Sequence, residues 1–297
     1  RRHTRYWRDW SSDVCSSDLF DRFHAKQPWA EGGRLLFNEL GCANCHGGDT
    51  ALPALPVRRG PDLVGVTQRA SADWLRKFLA DSAAAHEGTA MPRLLQKDEV
   101  EPVLHYLATL KPKTASKAKP LRHVNTALGK DLFHKIGCVA CHAPRGDFTP
   151  PDGAPKPAEF THRSVAFPKL GEKYVLATLA EFIRDPLKAR TDGRMPRIAM
   201  DEQDAVDIAG YLLNFEGSDG TLAPKIPAFT VDKSLADRGR TIVATLRCAA
   251  CHDLPKDVAA KPVPLKDLGG GCLAVAATSS SQDSVAAQRG RRMPHYD

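Results

Sequence analysis

Cysteine and histidine recur in one pentapeptide at three places in the chain: Cys42–His46, Cys138–His142 and Cys248–His252. In each copy the two cysteines stand three positions apart, and a histidine directly follows the second cysteine. Two thiols at this spacing share a helical turn, where each can bond a vinyl carbon of one porphyrin. The adjacent imidazole can then bind the iron of that haem. The spacing therefore predicts three sites for covalently attached haem c.

Each motif residue has a predicted role. The thioether bonds to haem are assigned to Cys42, Cys45, Cys138, Cys141, Cys248 and Cys251. The proximal iron ligands, each a neutral imidazole, are His46, His142 and His252. The second imidazole nitrogen needs a hydrogen-bond acceptor, and we expect the carbonyl of Pro61 in the first domain and of Pro168 in the second. A cysteine pair alone also fits a zinc half-site or a redox dithiol, so zinc binding is the alternative chemistry.

Methionines are the predicted distal iron ligands, because a thioether is a soft ligand that favours ferrous iron and raises the reduction potential. Met91 and Met195 each precede a proline in a loop between two predicted helices. Met293, also followed by proline, is the predicted third ligand, and the alternatives are an open third haem or a ligand from outside this sequence. Met200 is expected to pack at the start of a helix. His86, close to Met91, is a rival distal ligand.

Matching landmarks surround the motifs and indicate duplicated helical domains. Three glycines lie nine residues before the first cysteine of their motif: Gly33, Gly129 and Gly239. In two copies a tyrosine follows the Met-Pro loop at nearly the same spacing: Tyr106 and Tyr211. Apolar residues repeat at helical spacing, as in the stripe that contains Trp74 and follows the potential cap Ser71. We therefore predict an all-α fold of three small helical domains in tandem.

The predicted domain division follows composition and repeat landmarks. It comprises a non-native or disordered segment at 1–19, domain one at 20–110, a linker at 111–120, domain two at 121–217 and a partial domain three at 218–297. The first segment lacks periodicity, and Asp13–Leu19 resembles a translated sequencing adapter. The linker is polar, basic and flanked by prolines. No closing helix is predicted after the third motif, so domain three is expected to be truncated.

Composition narrows the function classes. The formal net charge of the 297 residues is +7, but the propionates of three haems would offset about six positive charges, so nucleic-acid binding has little support. The sequence contains no run of eighteen apolar residues, so no membrane span is predicted. No catalytic residue is predicted, since no nucleophile triad, paired carboxylate or phosphate loop stands out. Cys15 and Cys272 lie outside the motifs, and the spacings do not suggest a disulfide framework.

These motifs resemble class I c-type cytochrome domains. The shared features are a leading helix into Cys-x-x-Cys-His, a Gly-Pro-x-Leu-x-Gly turn at Gly60–Gly65, and a Met-Pro loop before a closing helix with Tyr-Leu. The resemblance covers 29–110 and 126–215 well and 234–272 in part. It implies an all-α fold, covalent haem c, periplasmic or other extracytoplasmic location and electron transfer. The arrangement resembles part of a larger bacterial multi-haem cytochrome c, whose secretion signal is expected outside this sequence.

The function expected from these features is single-electron transfer between redox protein partners through three haems. Two alternatives stay open. An open distal site on the third haem would suit a peroxidase-type enzyme, and a cytochrome subunit of a dehydrogenase complex would differ only in its electron donor.

Overall fold

The computed structural model describes residues 59–86, 89, 91–112, 123–145, 165, 167, 169–191, 195–216 and 225–259. All regular structure within these ranges is helical, which confirms the predicted all-α fold. No helix in the described ranges is long and apolar enough to cross a membrane.

Residues 59–112 form the first helical unit. Its helices are α1 (Val66–Arg69), α2 (Ala72–Ala80), α3 (Ser82–Ala85) and α4 (Val100–Thr109). The Ser71 hydroxyl caps α2 by accepting a hydrogen bond from the Trp74 backbone N–H, as its position in the sequence suggested. A 3₁₀ turn at Lys97–Glu99 leads into α4, and the Glu99 carboxylate accepts a hydrogen bond from the Gln96 backbone N–H. The apolar faces of α2 and α4 meet in one core.

Residues 123–216 form the second helical unit. Its helices are α5 (Thr126–Lys135), α6 (Leu170–Lys173), α7 (Leu176–Arg184) and α8 (Glu202–Leu212). Asn125 caps α5 and Asp201 caps α8, each by accepting from a backbone N–H in the first turn. Helix α8 packs against both α5 and α7, and Phe133 lies fully buried among them.

Residues 225–259 form the third-motif segment, which contains α9 (Lys233–Thr245). Helix α9 packs against α4 of the first unit. Its buried Val243 and Leu246, together with the later Val258, belong to the same core as α2 and α4. The helix that leads into the third motif therefore completes the core of the first unit.

Two glycine-mediated helix crossings show that the repeat is structural. A Cβ on Gly129 of α5 would lie 1.9 Å from the Asp207 carbonyl oxygen of α8. A Cβ on Gly239 of α9 would lie 1.9 Å from the Pro102 carbonyl oxygen of α4. Asp207 and Pro102 each stand four residues before the tyrosine of their helix. Only glycine permits this approach of two backbones, so the shared glycine position marks where each leading helix crosses its closing helix.

The two units touch through α2 and α6. The Ser71 backbone N–H donates to the Lys173 carbonyl at 2.9 Å, and the Ser71 hydroxyl donates to the Glu172 carbonyl. The Lys77 ammonium lies 2.7 Å from the Glu172 carboxylate. Nearby, the Asp62 backbone N–H donates to the Ala189 carbonyl at 2.9 Å. Backbone hydrogen bonds therefore hold the two units together in addition to the surface ion pair.

Candidate haem-attachment sites

The second motif begins directly after α5. Gly137 has φ +112°, which ends the helix and starts a 3₁₀ turn at Cys138–Ala140. The His142 backbone N–H donates to the Cys138 carbonyl at 3.0 Å. Cys138 is half-buried and Cys141 is exposed. One tight turn thus carries both thiols and the imidazole, as the spacing predicts.

The third motif repeats this turn after α9. Arg247, with φ +58°, takes the left-handed position that Gly137 holds in the second motif. A 3₁₀ turn follows at Cys248–Ala250, and the His252 backbone N–H donates to the Cys248 carbonyl at 2.9 Å. The first motif, with Cys42, Cys45 and His46, lies outside the described residues.

The His142 ring is oriented by one hydrogen bond and one stacking contact. Its Nδ1 lies 2.9 Å from the Val165 carbonyl oxygen, and the ring stacks on Phe167 with centroids 4.4 Å apart. A carbonyl can only accept, so Nδ1 carries the proton and Nε2 keeps the lone pair that iron needs. The prediction that the Pro168 carbonyl accepts the hydrogen bond of the His142 ring is therefore wrong. Phe167 packs on its core as Leu63 does in the first unit, so Val165 corresponds to Pro61.

The His252 ring is held in the same way by the first unit. Its Nδ1 lies 2.8 Å from the Pro61 carbonyl oxygen, and the Gly60 backbone N–H donates to the Cys251 carbonyl at 2.6 Å. A Cβ on Gly60 would lie 2.5 Å from Cε1 of the His252 ring, so any larger residue here would displace the ring. The Pro61 carbonyl thus accepts from the imidazole of the third motif, whereas His46, the partner expected for it, lies outside the described residues.

The ionisation of the motif side chains suits thioether attachment. Burial raises the pKa of the Cys248 thiol to about 11, and burial also raises the pKa of Cys138. Zinc binding requires thiolates, whose formation this burial opposes, whereas thioethers carry no charge. Within the described ranges no three His, Cys, Asp or Glu side chains are grouped to hold a metal ion. Burial lowers the pKa of His252, which favours the neutral imidazole that binds iron.

The predicted distal methionines lie in two different environments. Met91 packs against the first unit's core, which Cys248 also contacts, and the Met91 carbonyl accepts from the Ser82 hydroxyl at 2.7 Å. Met195 is half-buried in the corresponding loop of the second unit. Met200 packs against the second core, which confirms its predicted packing role. Met293 lies outside the described residues.

A buried donor without a partner fits a bound haem in the first unit. Trp74 is 6% exposed, and its Nε1 has no hydrogen-bond acceptor among the described residues. An unpaired buried donor is costly, and a haem carries carboxylate acceptors that would relieve the cost. Sequence reasoning identified Trp74 only as part of an apolar stripe, since periodicity does not report which atoms lack a partner.

The remaining histidines of the first unit divide into two cases. His105 accepts a hydrogen bond at Nδ1 from the Asp232 backbone N–H at 2.9 Å and makes an edge contact with Phe229. His105 is therefore a structural residue whose ring is held by contacts with the segment before α9. His86 is half-buried, and burial lowers its pKa, so it stays an alternative to Met91 as a ligand.

Comparison with known proteins gives one match. The family model for cytochrome c matches residues 30–111 and 126–216, more than half of the chain. The matched stretches contain the first and second motifs together with Met91 and Met195. No curated protein and no solved structure matches the chain.

Proposed function

This chain belongs to the cytochrome c family, whose domains bind haem and transfer electrons, and from that premise we propose that it is a multi-haem carrier with three haems. It would pass single electrons between redox protein partners in an extracytoplasmic compartment, where c-type haem is attached. The proximal ligands are His46, His142 and His252, and the proposed distal ligands in the matched stretches are Met91 and Met195.

The observation that carries the proposal is the matched orientation of two motif imidazoles. His142 and His252 each direct Nδ1 at a backbone carbonyl, at 2.9 and 2.8 Å. When bound, haem supplies an iron that alternates between its ferrous and ferric states. The chain's own residues anchor the porphyrin through paired thiols and fix each imidazole, while two apolar cores exclude water. A rigid ligand that keeps its position in both oxidation states suits electron transfer rather than bond-making chemistry.

Counting covalent haems tests the proposal. The chain is expressed together with a haem c maturation system, and haem is measured per polypeptide by absorbance and intact mass. Three haems are expected. Replacing both cysteines of any one motif by serine should remove one haem, whereas the control pair Cys15→Ser and Cys272→Ser should remove none. Fewer than two haems on the unmodified chain would contradict a multi-haem carrier.

The two alternatives differ from this proposal in measurable ways. A peroxidase-type enzyme needs a haem with an open distal site, and would show a high-spin ferric spectrum and peroxide turnover. The third motif, which motivated that alternative, packs on the unit that carries Met91. Low-spin spectra from all three haems would exclude it. A cytochrome subunit of a dehydrogenase complex would be identified by co-purification of the dehydrogenase.

A further inference from the structure

The third-motif segment contacts the first unit before α9, along α9 and at the motif itself. Before α9, Phe229 packs on the first core and the Asp232 backbone N–H donates to His105. Along α9, Gly239 crosses α4 at Pro102, and the Arg238 guanidinium lies 2.7 Å from the Asp98 carboxylate. These contacts extend over the whole helix, so the docking does not depend on one interaction.

The motif itself is seated on the turn that precedes α1. The Pro61 carbonyl orients the His252 ring, and the Gly60 backbone N–H donates to Cys251. A salt bridge of 3.3 Å between Arg59 and Asp253 lies at the edge of this contact. The second unit makes the equivalent contact to its own motif through Val165. The third motif therefore occupies in the first unit the place that the second motif occupies in the second unit.

We propose that the first unit forms the haem pocket of the third motif, an inference that rests on the proposed function. His252 is then the proximal ligand and Met91, not Met293, the distal ligand of one iron. Met91 and Cys248 both contact the core to which α9 contributes Val243.

This pairing has a consequence for the first motif. Gly33 has the same spacing from its motif as Gly239, and the family match places it with the same unit. The crossing point at Pro102 accommodates one glycine and one helix, because a single Cβ there would already overlap the backbone. A second leading helix could therefore not cross α4 at this point while α9 occupies it.

A single-haem chain tests the ligand pair directly. Cys42, Cys45, Cys138 and Cys141 are replaced by serine, which leaves haem only on the third motif. The long-wavelength charge-transfer band of methionine-ligated ferric haem is then recorded. We expect Met91→Ala to abolish this band and the matched control Met293→Ala to leave it unchanged. A band lost only in Met293→Ala, or no methionine band in the parent, would overturn the pairing.

A second substitution guards against misfolding of the alanine variant. Met91→His should convert the spectrum to a low-spin form with two imidazole ligands and lower the midpoint potential, while Met293→His should change neither. Retention of one covalent haem in all these chains keeps failure of the pairing distinct from failure of the proposed function, which would appear as a chain without haem.

Docking in the full three-haem chain is tested by zero-length cross-linking. In the Arg238→Lys variant a carbodiimide should couple the introduced amine to Asp98, giving a link within one chain that peptide mass spectrometry detects. The pair Lys233 and Asp237, 2.7 Å apart on one helix, controls for reagent activity. If the control link forms but the link to Asp98 is absent or joins two chains, the proposed docking is wrong.

Discussion

At the residue scale, the hydrogen bond from each described motif histidine to a backbone carbonyl selects the ring nitrogen that faces iron. His142 and His252 use Nδ1 for this bond, so Nε2 is left with the lone pair that the proposed iron ligation needs. The acceptors belong to different residue types, Val165 and Pro61, because a backbone carbonyl is independent of its side chain. What the site requires is the path of the backbone, and at Gly60 the absence of a side chain leaves room for the His252 ring.

The Gly60→Ala substitution should disturb the proximal side of the haem proposed for His252. The added methyl would lie 2.5 Å from the imidazole, so the ring must turn away from the Pro61 carbonyl. We expect a high-spin fraction at one haem and a loss of about 2 kcal/mol in unfolding free energy. Electron paramagnetic resonance and thermal unfolding measure the two effects. Gly171→Ala, at a glycine with open space around it, should leave the spin state unchanged.

At the element scale, each leading helix is fixed to a closing helix by one glycine crossing and one cap. Helix α5 crosses α8 at Gly129, and α9 crosses α4 at Gly239. Asn125 and Asp232 cap these two leading helices by accepting a hydrogen bond in the first turn. The crossing sets the helix position and the cap sets its start, so the motif that follows each helix is delivered to a defined turn.

The Gly129→Ala substitution should separate α5 from α8. The new Cβ would overlap the Asp207 carbonyl oxygen, which belongs to the backbone of a buried helix and cannot rotate away. We expect a loss of about 2–4 kcal/mol in unfolding free energy, measured by denaturant titration of the haem-loaded chain. At the open position, Gly171→Ala should change stability by less than about 1 kcal/mol. Equal effects of the two substitutions would contradict the crossing.

The position of each glycine crossing relative to its motif could be predicted from residue spacing, because the two lie close together in the sequence. Gly129 and Gly239 keep a constant distance to their motifs because the helix and the turn between them are continuous. The acceptor for His142 could not be predicted, since Val165 lies 23 positions after His142 in the sequence and proline is a misleading landmark there. The packing of α9 on α4 could not be predicted from the sequence either. Gly33 and Gly239 have the same spacing to their motifs, so spacing alone does not tell which segment crosses α4.

At the scale of the whole molecule, the contact between the two units partly buries a cationic side chain, that of Lys173. The Lys173 ammonium lies 4.4 Å from the Trp74 ring and 4.7 Å from the Tyr174 ring. Burial lowers the pKa of Lys173 to about 8, and the nearby Arg190 and Arg69 act in the same direction. The interface therefore carries a charge that destabilises the folded state at neutral pH.

Stability should rise with pH because of Lys173. Its pKa is lower in the folded chain than the ordinary 10.5, so between pH 8 and 10 the unfolded chain binds more protons and the folded state gains. The full penalty, at most about 3 kcal/mol, applies below pH 8. Lys173→Met should raise the unfolding free energy at pH 7 and flatten its rise to pH 10. The exposed control Lys169→Met should keep the slope, and an unchanged slope in Lys173→Met would contradict the assignment.

The return of the third-motif segment to the first unit also determines how the molecule comes apart. In the sequence, the second unit lies between the first unit and the third-motif segment. These two parts of the chain pack against each other through α4 and α9. A protease cut in the basic stretch 113–120 would break the covalent connection between the units. It would leave the packing of α9 against α4 intact. The nicked halves would stay associated as one particle, and only unfolding of the first unit would release them.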